Sequence, residues 1–302
     1  MTDEDIPGMS VAVLVNGQRH TFHYGLASRE TKTKVNNTTI FEIGSLSKPF
    51  TGVLAARLQA EGLVDLSTKA ENIMPGLRGS PVGSASLLEL ATYNAGGLPL
   101  QLPEGVDRTN FVTWYRDFKP VVQIGTNRLY SNASIGLFGH LTAEAAGGSF
   151  AELLDKKVLS PLHLDDTFLD VPQARLQDYA QGYNRDNAPT RVSPGLFDEE
   201  AYGVKTTADD LLSFVEASMK PVDDADTLNE GLASARSGMY RVDEMYQGLG
   251  WELYGAPARL DALLQGAEPD FVLKPNAIEK VEAPVVDRDH VGTVSKTGST
   301  SG

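Results

Sequence analysis

Apolar residues recur along this chain with two different periods, and the change of period divides it into parts. At the start, Val11, Val13 and Val15 occupy every second position, Asn16-Gly17 is a favoured type I′ turn pair, and Phe22 with Tyr24 resumes the alternation. That pattern predicts a β-hairpin. A polar stretch from Ser28 to Thr39, rich in Thr, Lys and Asn, reads as a loop. Beyond it Phe50, Val53, Leu54 and Leu58 fall at helical spacing, so a helix is expected to begin close to Ser45. Pro49 fits that helix only in its first turn, where its missing N–H is not needed.

The middle of the chain reads as short helices separated by Gly and Pro. Leu87, Leu88, Leu90 and Ala91 mark one; Ile135, Phe138 and Leu141 mark a second, which closes at Ala145 before Gly147-Gly148. Leu153, Leu154 and Val158 mark a third, ending at Pro161, and Thr207 or Asp209 can cap a fourth through Leu211, Leu212 and Val215. The polar run from Lys220 to Asn229 reads as an exposed connection. Near the end, Val291 to Lys296 alternates like a strand again. Strands at both ends around a helical middle predict an α+β fold in which one antiparallel sheet takes strands from both ends of the chain.

Composition narrows the function more than the fold. The 302 residues carry 26 Lys and Arg against 40 Asp and Glu, a net charge of −14. Such a chain repels phosphate backbones, which argues against a nucleic-acid partner. There is no cysteine, which removes disulfides, thiolate metal sites and cysteine nucleophiles from consideration. No apolar run approaches the roughly 18 residues of a membrane span, and the acidic start Met1-Thr2-Asp3-Glu4-Asp5 is unlike a secretory signal. The five histidines, His20, His23, His140, His163 and His290, are scattered rather than paired, so no metal is expected. No G-x-S-x-G, P-loop or G-x-G-x-x-G is present, and the Asn36, Asn37 and Asn132 sequons stand alone.

Three short motifs carry chemistry. Ser45-Leu46-Ser47-Lys48 is an S-x-x-K tetrad at an expected helix start. Residues three apart share a helix face, so the Lys48 amine can reach the Ser45 hydroxyl. Helix-start N–H groups can also support a developing oxyanion. Tyr130-Ser131-Asn132 precedes the Ile135 helix. A tyrosine beside two ammonium groups is expected to favour its charged form and so suit general-base work. Asn132 can offer its amide to a substrate and to Lys48. Lys296-Thr297-Gly298 ends the last strand with a cation, a hydroxyl and a glycine that permits close approach of a ligand. Separately the three motifs have chance expectations of roughly 0.8, 0.4 and 0.08. Their ordered conjunction is far rarer.

With these motifs the sequence resembles the class C β-lactamases, or serine cephalosporinases, relatives of the S-x-x-K, K-T-G enzymes. Longer stretches agree: Ala91–Gln101, Arg128–Gly139, Ala201–Thr207 and Tyr246–Glu252. The resemblance runs from about Ile6 to Gly302. It implies a β-lactamase/transpeptidase-like fold in one catalytic unit, with residues 1–60 and 205–302 in the sheet-containing part and 61–204 mostly helical. It further implies that Ser45 is the acylated nucleophile with Lys48 beside it. Tyr130 matches the residue proposed as general base, alone or with Lys48, and the choice between the two is a coupled titration. Gln101 and Asn132 match the positions that hold the acyl amide side chain, and Lys296 and Thr297 those that engage the β-lactam carboxylate. Gly298 completes the motif, the N–H groups of Ser45 and Ser299 would form the oxyanion hole, and Tyr202 would wall the site opposite Lys296.

The implied protein uses no cofactor, takes a small β-lactam substrate, binds neither nucleic acid nor membrane, and is a periplasmic monomer conferring antibiotic resistance. Asn94 and Ser295 stand where family members often carry other residues. Family members also have a helix before the first strand, and two strands and a helix after K-T-G, so the sequence is expected to be truncated at both ends. A Lys296 strand without an outer neighbour would expose unpaired N–H and C=O groups and destabilise the chain. The alternatives are a D-Ala-D-Ala carboxypeptidase or related serine esterase, and an inactive truncated remnant.

Overall fold

The computed structural model describes residues 5–223, 225–285 and 291–300, so residues 1–4 of the acidic start, His290 and Gly302 lie outside the described residues. Strand β1 (Gly8–Val15) and strand β2 (Gln18–Gly25) form the predicted hairpin, with Val11 opposite Phe22. Asn16 and Gly17 both adopt positive φ, as a type I′ turn requires. A single 3₁₀ turn, Gly44–Ser47, feeds α1 (Lys48–Ala60), and Pro49 lies in its first turn. Nearly every side of α1 is buried, which makes it the central helix of the molecule.

Helix α2 (Leu87–Ala91) opens on a capping box between Ser86 and Glu89. Helix α3 (Phe111–Asp117) buries Tyr115, and α4 (Asn132–Ala145) is capped by Ser131, whose hydroxyl accepts from the Ser134 N–H. The four-residue α5 (Asp198–Ala201) leads to Tyr202. Next, α6 (Ala208–Met219) starts from Thr207, which accepts from the Asp210 N–H and is thus the cap rather than Asp209. Helix α7 (Asp226–Ala235) follows. It corrects the expectation that Lys220–Asn229 is an exposed connection. Leu228, Gly231, Leu232 and Ala235 form a buried stripe at helical spacing.

The C-terminal third builds the main sheet. Strands β3 (Gly238–Val242), β4 (Met245–Gln247) and β5 (Glu252–Gly255) are followed by α8 (Leu260–Ala267) and α9 (Pro269–Leu273), then by β6 (Glu279–Val285) and β7 (Val291–Ser295). Their order is β6-β3-β4-β5-β7, antiparallel throughout, with Glu252 opposite Ser295. The hairpin β1–β2 is bonded separately as a two-stranded sheet. Among the described residues β7 is an edge strand, as expected for a Lys296 strand without an outer neighbour. The fold is thus mixed helix and sheet as expected, but the expected single sheet from both chain ends is not formed among the described residues: the five-stranded sheet is wholly C-terminal and the hairpin stands apart. Among the described residues no helix is long and apolar enough to cross a membrane.

One large apolar core joins α1, α2, α4, α6 and α7, and a smaller one sits beneath α8 and α9. In the large core Phe50 stacks on Phe214 with ring centroids 3.8 Å apart, and Trp251 stacks on Phe214 from the sheet side. Phe214→Ala removes the middle ring of this stack and leaves a cavity. We expect it to cost about 3–5 kcal/mol of stability, measured as a lower urea midpoint at unchanged m.

Candidate active site

The S-x-x-K spacing works as a bridge from the 3₁₀ turn into α1. Lys48 Nζ lies 2.9 Å from Ser45 Oγ and donates to the Ala201 carbonyl at 2.8 Å. Ser47, between them, is structural: its hydroxyl donates to Gly44 O at 2.7 Å and accepts from the Val204 N–H at 2.9 Å. The Lys48 side chain is fully buried. Burial pushes its amine well below the ordinary lysine range, the nearby Lys296 charge adds to this, and Glu252 opposes it. A lysine so placed is disposed to be a neutral amine beside a serine hydroxyl.

Tyr130 sits between the two lysines, with Lys48 Nζ and Lys296 Nζ each 5.0 Å from its ring centroid. Its hydroxyl nevertheless behaves contrary to the sequence expectation. Burial pushes it well above the ordinary tyrosine value, Glu252 adds to the rise, and the Ser45 hydroxyl and Arg128 only partly offset it. The expectation counted cations and missed the loss of water, which here is the larger effect. Asn132 also departs from expectation. Its amide oxygen is buried without a partner among the described residues, so the link from Lys48 is not made and that oxygen can meet a ligand. Its backbone N–H donates to Leu100 O at 2.9 Å, which ties Gln101 to the start of α4.

Lys296 follows the end of β7. Its ammonium lies 3.5 Å from Glu252 Oε1, and the same oxygen takes Arg128 Nη2 at 3.4 Å. Arg128 is itself buried and donates from Nε to Gln247 Oε1 at 2.7 Å. One carboxylate thus stands between two cations behind Tyr130, an electropositive back wall. The sequence reading named neither Arg128 nor Glu252 as site residues, although both lie in the resembling stretches. The missing signal was register: only strand pairing places Glu252 of β5 beside the Lys296 end of β7. Burial lowers the Lys296 amine, with Arg128 adding and Glu252 opposing.

Gly298 has a different reason from the one expected. A side chain there would collide with the Ile43 carbonyl and with Leu46, so the close approach it permits is to the nucleophile turn rather than first to a ligand. Gly298→Ala should push the Thr297–Ser299 segment away from Ser45. Misplacement of that size typically costs about 10²-fold in rate, to be read as kcat/KM at unchanged far-UV circular dichroism.

Ser45, Gln101, Tyr130, Asn132, Tyr202, Lys296, Thr297, Gly298 and Ser299 all line one cleft of about 710 Å³. Lys48 stands behind it. Of the two unusual positions, Ser295 lines the cleft while Asn94 is fully buried outside the lining. The apolar side of the cleft comes from Leu263 of α8 and from Val272 and Leu273 of α9. Among the described residues no cluster of His, Cys, Asp and Glu could hold a metal ion. The arrangement can therefore deliver a serine oxygen, a buried amine, a phenol and an anion-attracting wall to one small molecule.

Comparisons with known proteins give the family of the chain and its fold. A family model described as "Beta-lactamase" matches residues 1–302. The chain is 45% identical to a β-lactamase of Pseudomonas fluorescens over 100% of its own length and 84% of that protein. It is 39% identical to a β-lactamase of Escherichia coli K12 over 99% of its length and 79% of that protein. The crystal structure of a class C β-lactamase from Rhodobacter sphaeroides superposes with a TM-score of 0.93 at 38% identity, covering 100% of this chain and 85% of that one. Another class C β-lactamase structure gives 0.95 at 35% identity, covering 100% and 83%. On sequence, fold and neighbours together, the chain belongs to the β-lactamase family.

Proposed function

We propose that this protein opens the amide of cephalosporins and penicillins through an acyl-enzyme on Ser45, with Lys48 as the base. The observation that carries the reading is the fully buried Lys48 amine 2.9 Å from Ser45 Oγ. As the Ser45 oxygen attacks the β-lactam carbonyl carbon, its proton passes to neutral Lys48. The oxyanion is held by the Ser45 and Ser299 N–H groups. The C–N bond then breaks, and the departing ring nitrogen takes a proton from Tyr130, which Lys48 restores. A phenol held neutral by burial suits that donor role, just as a depressed amine suits the acceptor role. Water then attacks the ester carbonyl and gives a proton to the same pair, which passes a proton to Ser45 Oγ as the ester C–O bond breaks, restoring the serine hydroxyl and neutral Lys48.

In this scheme Gln101 and Asn132 hold the acyl side chain, while Lys296 and Thr297 take the substrate carboxylate. Tyr202 walls the cleft, and Gly298 fixes the strand end against the nucleophile turn. The chain acts as one catalytic unit. Family membership supports a periplasmic monomer that prefers cephalosporins and contributes to antibiotic resistance. The test is steady-state hydrolysis of a chromogenic cephalosporin, a penicillin and a D-Ala-D-Ala peptide ester in parallel. Turnover of the two β-lactams is expected. A β-lactam that only acylates, with turnover confined to the peptide ester, would replace this reading with the carboxypeptidase alternative, and no reaction with any of the three would make the chain an inactive remnant.

A further inference from the structure

The mechanism leaves one buried carboxyl unused. Glu200 is only 6% exposed and stands one residue before Ala201, whose carbonyl accepts from Lys48. Its own carbonyl accepts from Thr51 Oγ1 of α1 at 2.6 Å. On α4, Gly139 gives way to the Glu200 side chain: a Cβ at Gly139 would lie 2.7 Å from Glu200 Cγ and 3.0 Å from a Thr51 methyl. One turn earlier Gly136 gives way to Phe197, which enters α5 at φ 62°. Two glycines on one face of α4 thus receive Phe197 and Glu200, and the Lys48 acceptor is the carbonyl of the very next residue.

We propose that Glu200 is a positioning residue: in its neutral form it seats the Phe197–Tyr202 segment on α4 and holds the Ala201 carbonyl against Lys48, and ionisation favours release of that segment. The inference rests on the assignment of Lys48 to the reaction. The surroundings favour the neutral form. Burial is the leading cause that pushes the carboxyl up to about 8, Glu199 and Asp198 add to it, and the Glu200 N–H and Arg108 oppose it. From the packed elements, Tyr115 of α3 feels the Glu200 charge and donates to Ala133 O, His140 of α4 packs on Phe197, and Glu152 of the neighbouring Phe150–Leu154 helix is exposed. Lys48 of α1 reaches the carbonyl of Ala201 rather than the Glu200 carboxyl.

The sign of the effect follows from linkage. In the released segment Glu200 meets water and takes an ordinary carboxyl value of about 4.3. Seated, it holds its proton to about pH 8. Between those values each unit of rising pH favours release about tenfold, and above the upper one the slope disappears.

Hydrogen exchange on the whole protein, followed by mass spectrometry of peptides covering 196–204, reads this directly. Wild-type protection, corrected for intrinsic exchange, should fall about tenfold per pH unit between pH 5 and pH 8. Glu200→Gln, which keeps the shape without the charge, should make the profile flat. A flat wild-type profile overturns the proposal even if the variant fails to fold, and so does an unchanged slope in Glu200→Gln. Glu200→Ala should lower kcat about tenfold with KM within about twofold, and Glu200→Gln should restore it. Wild-type kcat in Glu200→Ala contradicts the positioning role. Exchange needs no turnover, so an active enzyme with a flat profile sinks this inference alone, and an inactive one with the predicted slope sinks the assignment of function.

Discussion

Ser45→Ala is expected to abolish β-lactam turnover, by about 10⁴-fold or more in kcat, while leaving the fold intact. Among the described residues the hydroxyl lost meets only the side chains of the site itself, Lys48 and Tyr130, whereas the neighbouring Ser47 hydroxyl holds Gly44 and Val204 together. The paired variant Ser47→Ala should therefore do the reverse, lowering the thermal midpoint and reducing activity only through displacement of the turn. Steady-state hydrolysis and thermal melts on both variants check this. An inactive Ser47→Ala beside a substantially active Ser45→Ala would reassign the nucleophile within the tetrad.

Lys48→Met is expected to remove the base and slow acylation by about 10³-fold, near the middle of the range for general-base catalysis. The sign of the pH dependence is fixed by the direction of the shift. The amine works when unprotonated, and burial lowers its titration well below the ordinary lysine range. The wild-type acylation rate should therefore rise with pH through that depressed value and reach a plateau below the usual lysine titration. In Glu252→Gln the carboxylate that opposes the shift is gone, so the rising limb should move to lower pH. Stopped-flow acylation across pH 4–10 measures both, and a limb that moves to higher pH in Glu252→Gln would contradict the electrostatic account.

The parts of the molecule legible in the sequence are those governed by local rules. Asn16-Gly17 specifies its turn by backbone conformation alone, and Thr207 marks a helix start by bonding an N–H three residues on. The S-x-x-K pair is local in the same sense, because three residues of helix bring the lysine to the serine. What could not be read depends on distant parts meeting. The cation–carboxylate wall exists because β5 and β7 pair in one register, which puts Glu252 between Lys296 and Arg128.

Tyr130 is the sharpest case. Charge counting from sequence favoured its phenolate, yet desolvation decides the sign, and desolvation is a property of packing. Gly298 carries the same lesson, since its demanding neighbour is a carbonyl on the nucleophile turn, far away in sequence. Helix α7 was legible but outweighed. Its stripe of Leu228, Gly231, Leu232 and Ala235 was hidden by the polar residues around it.

The central claim is that a β-lactam becomes covalently attached to Ser45. Mixing the protein with a cephalosporin, quenching in acid within milliseconds and mapping the peptides by mass spectrometry tests it most directly. The predicted result is a transient adduct carried by Ser45 in the Gly44–Lys48 turn, absent in Ser45→Ala and long-lived when deacylation is slowed. Turnover without any adduct, or an adduct mapped to another residue, would contradict it.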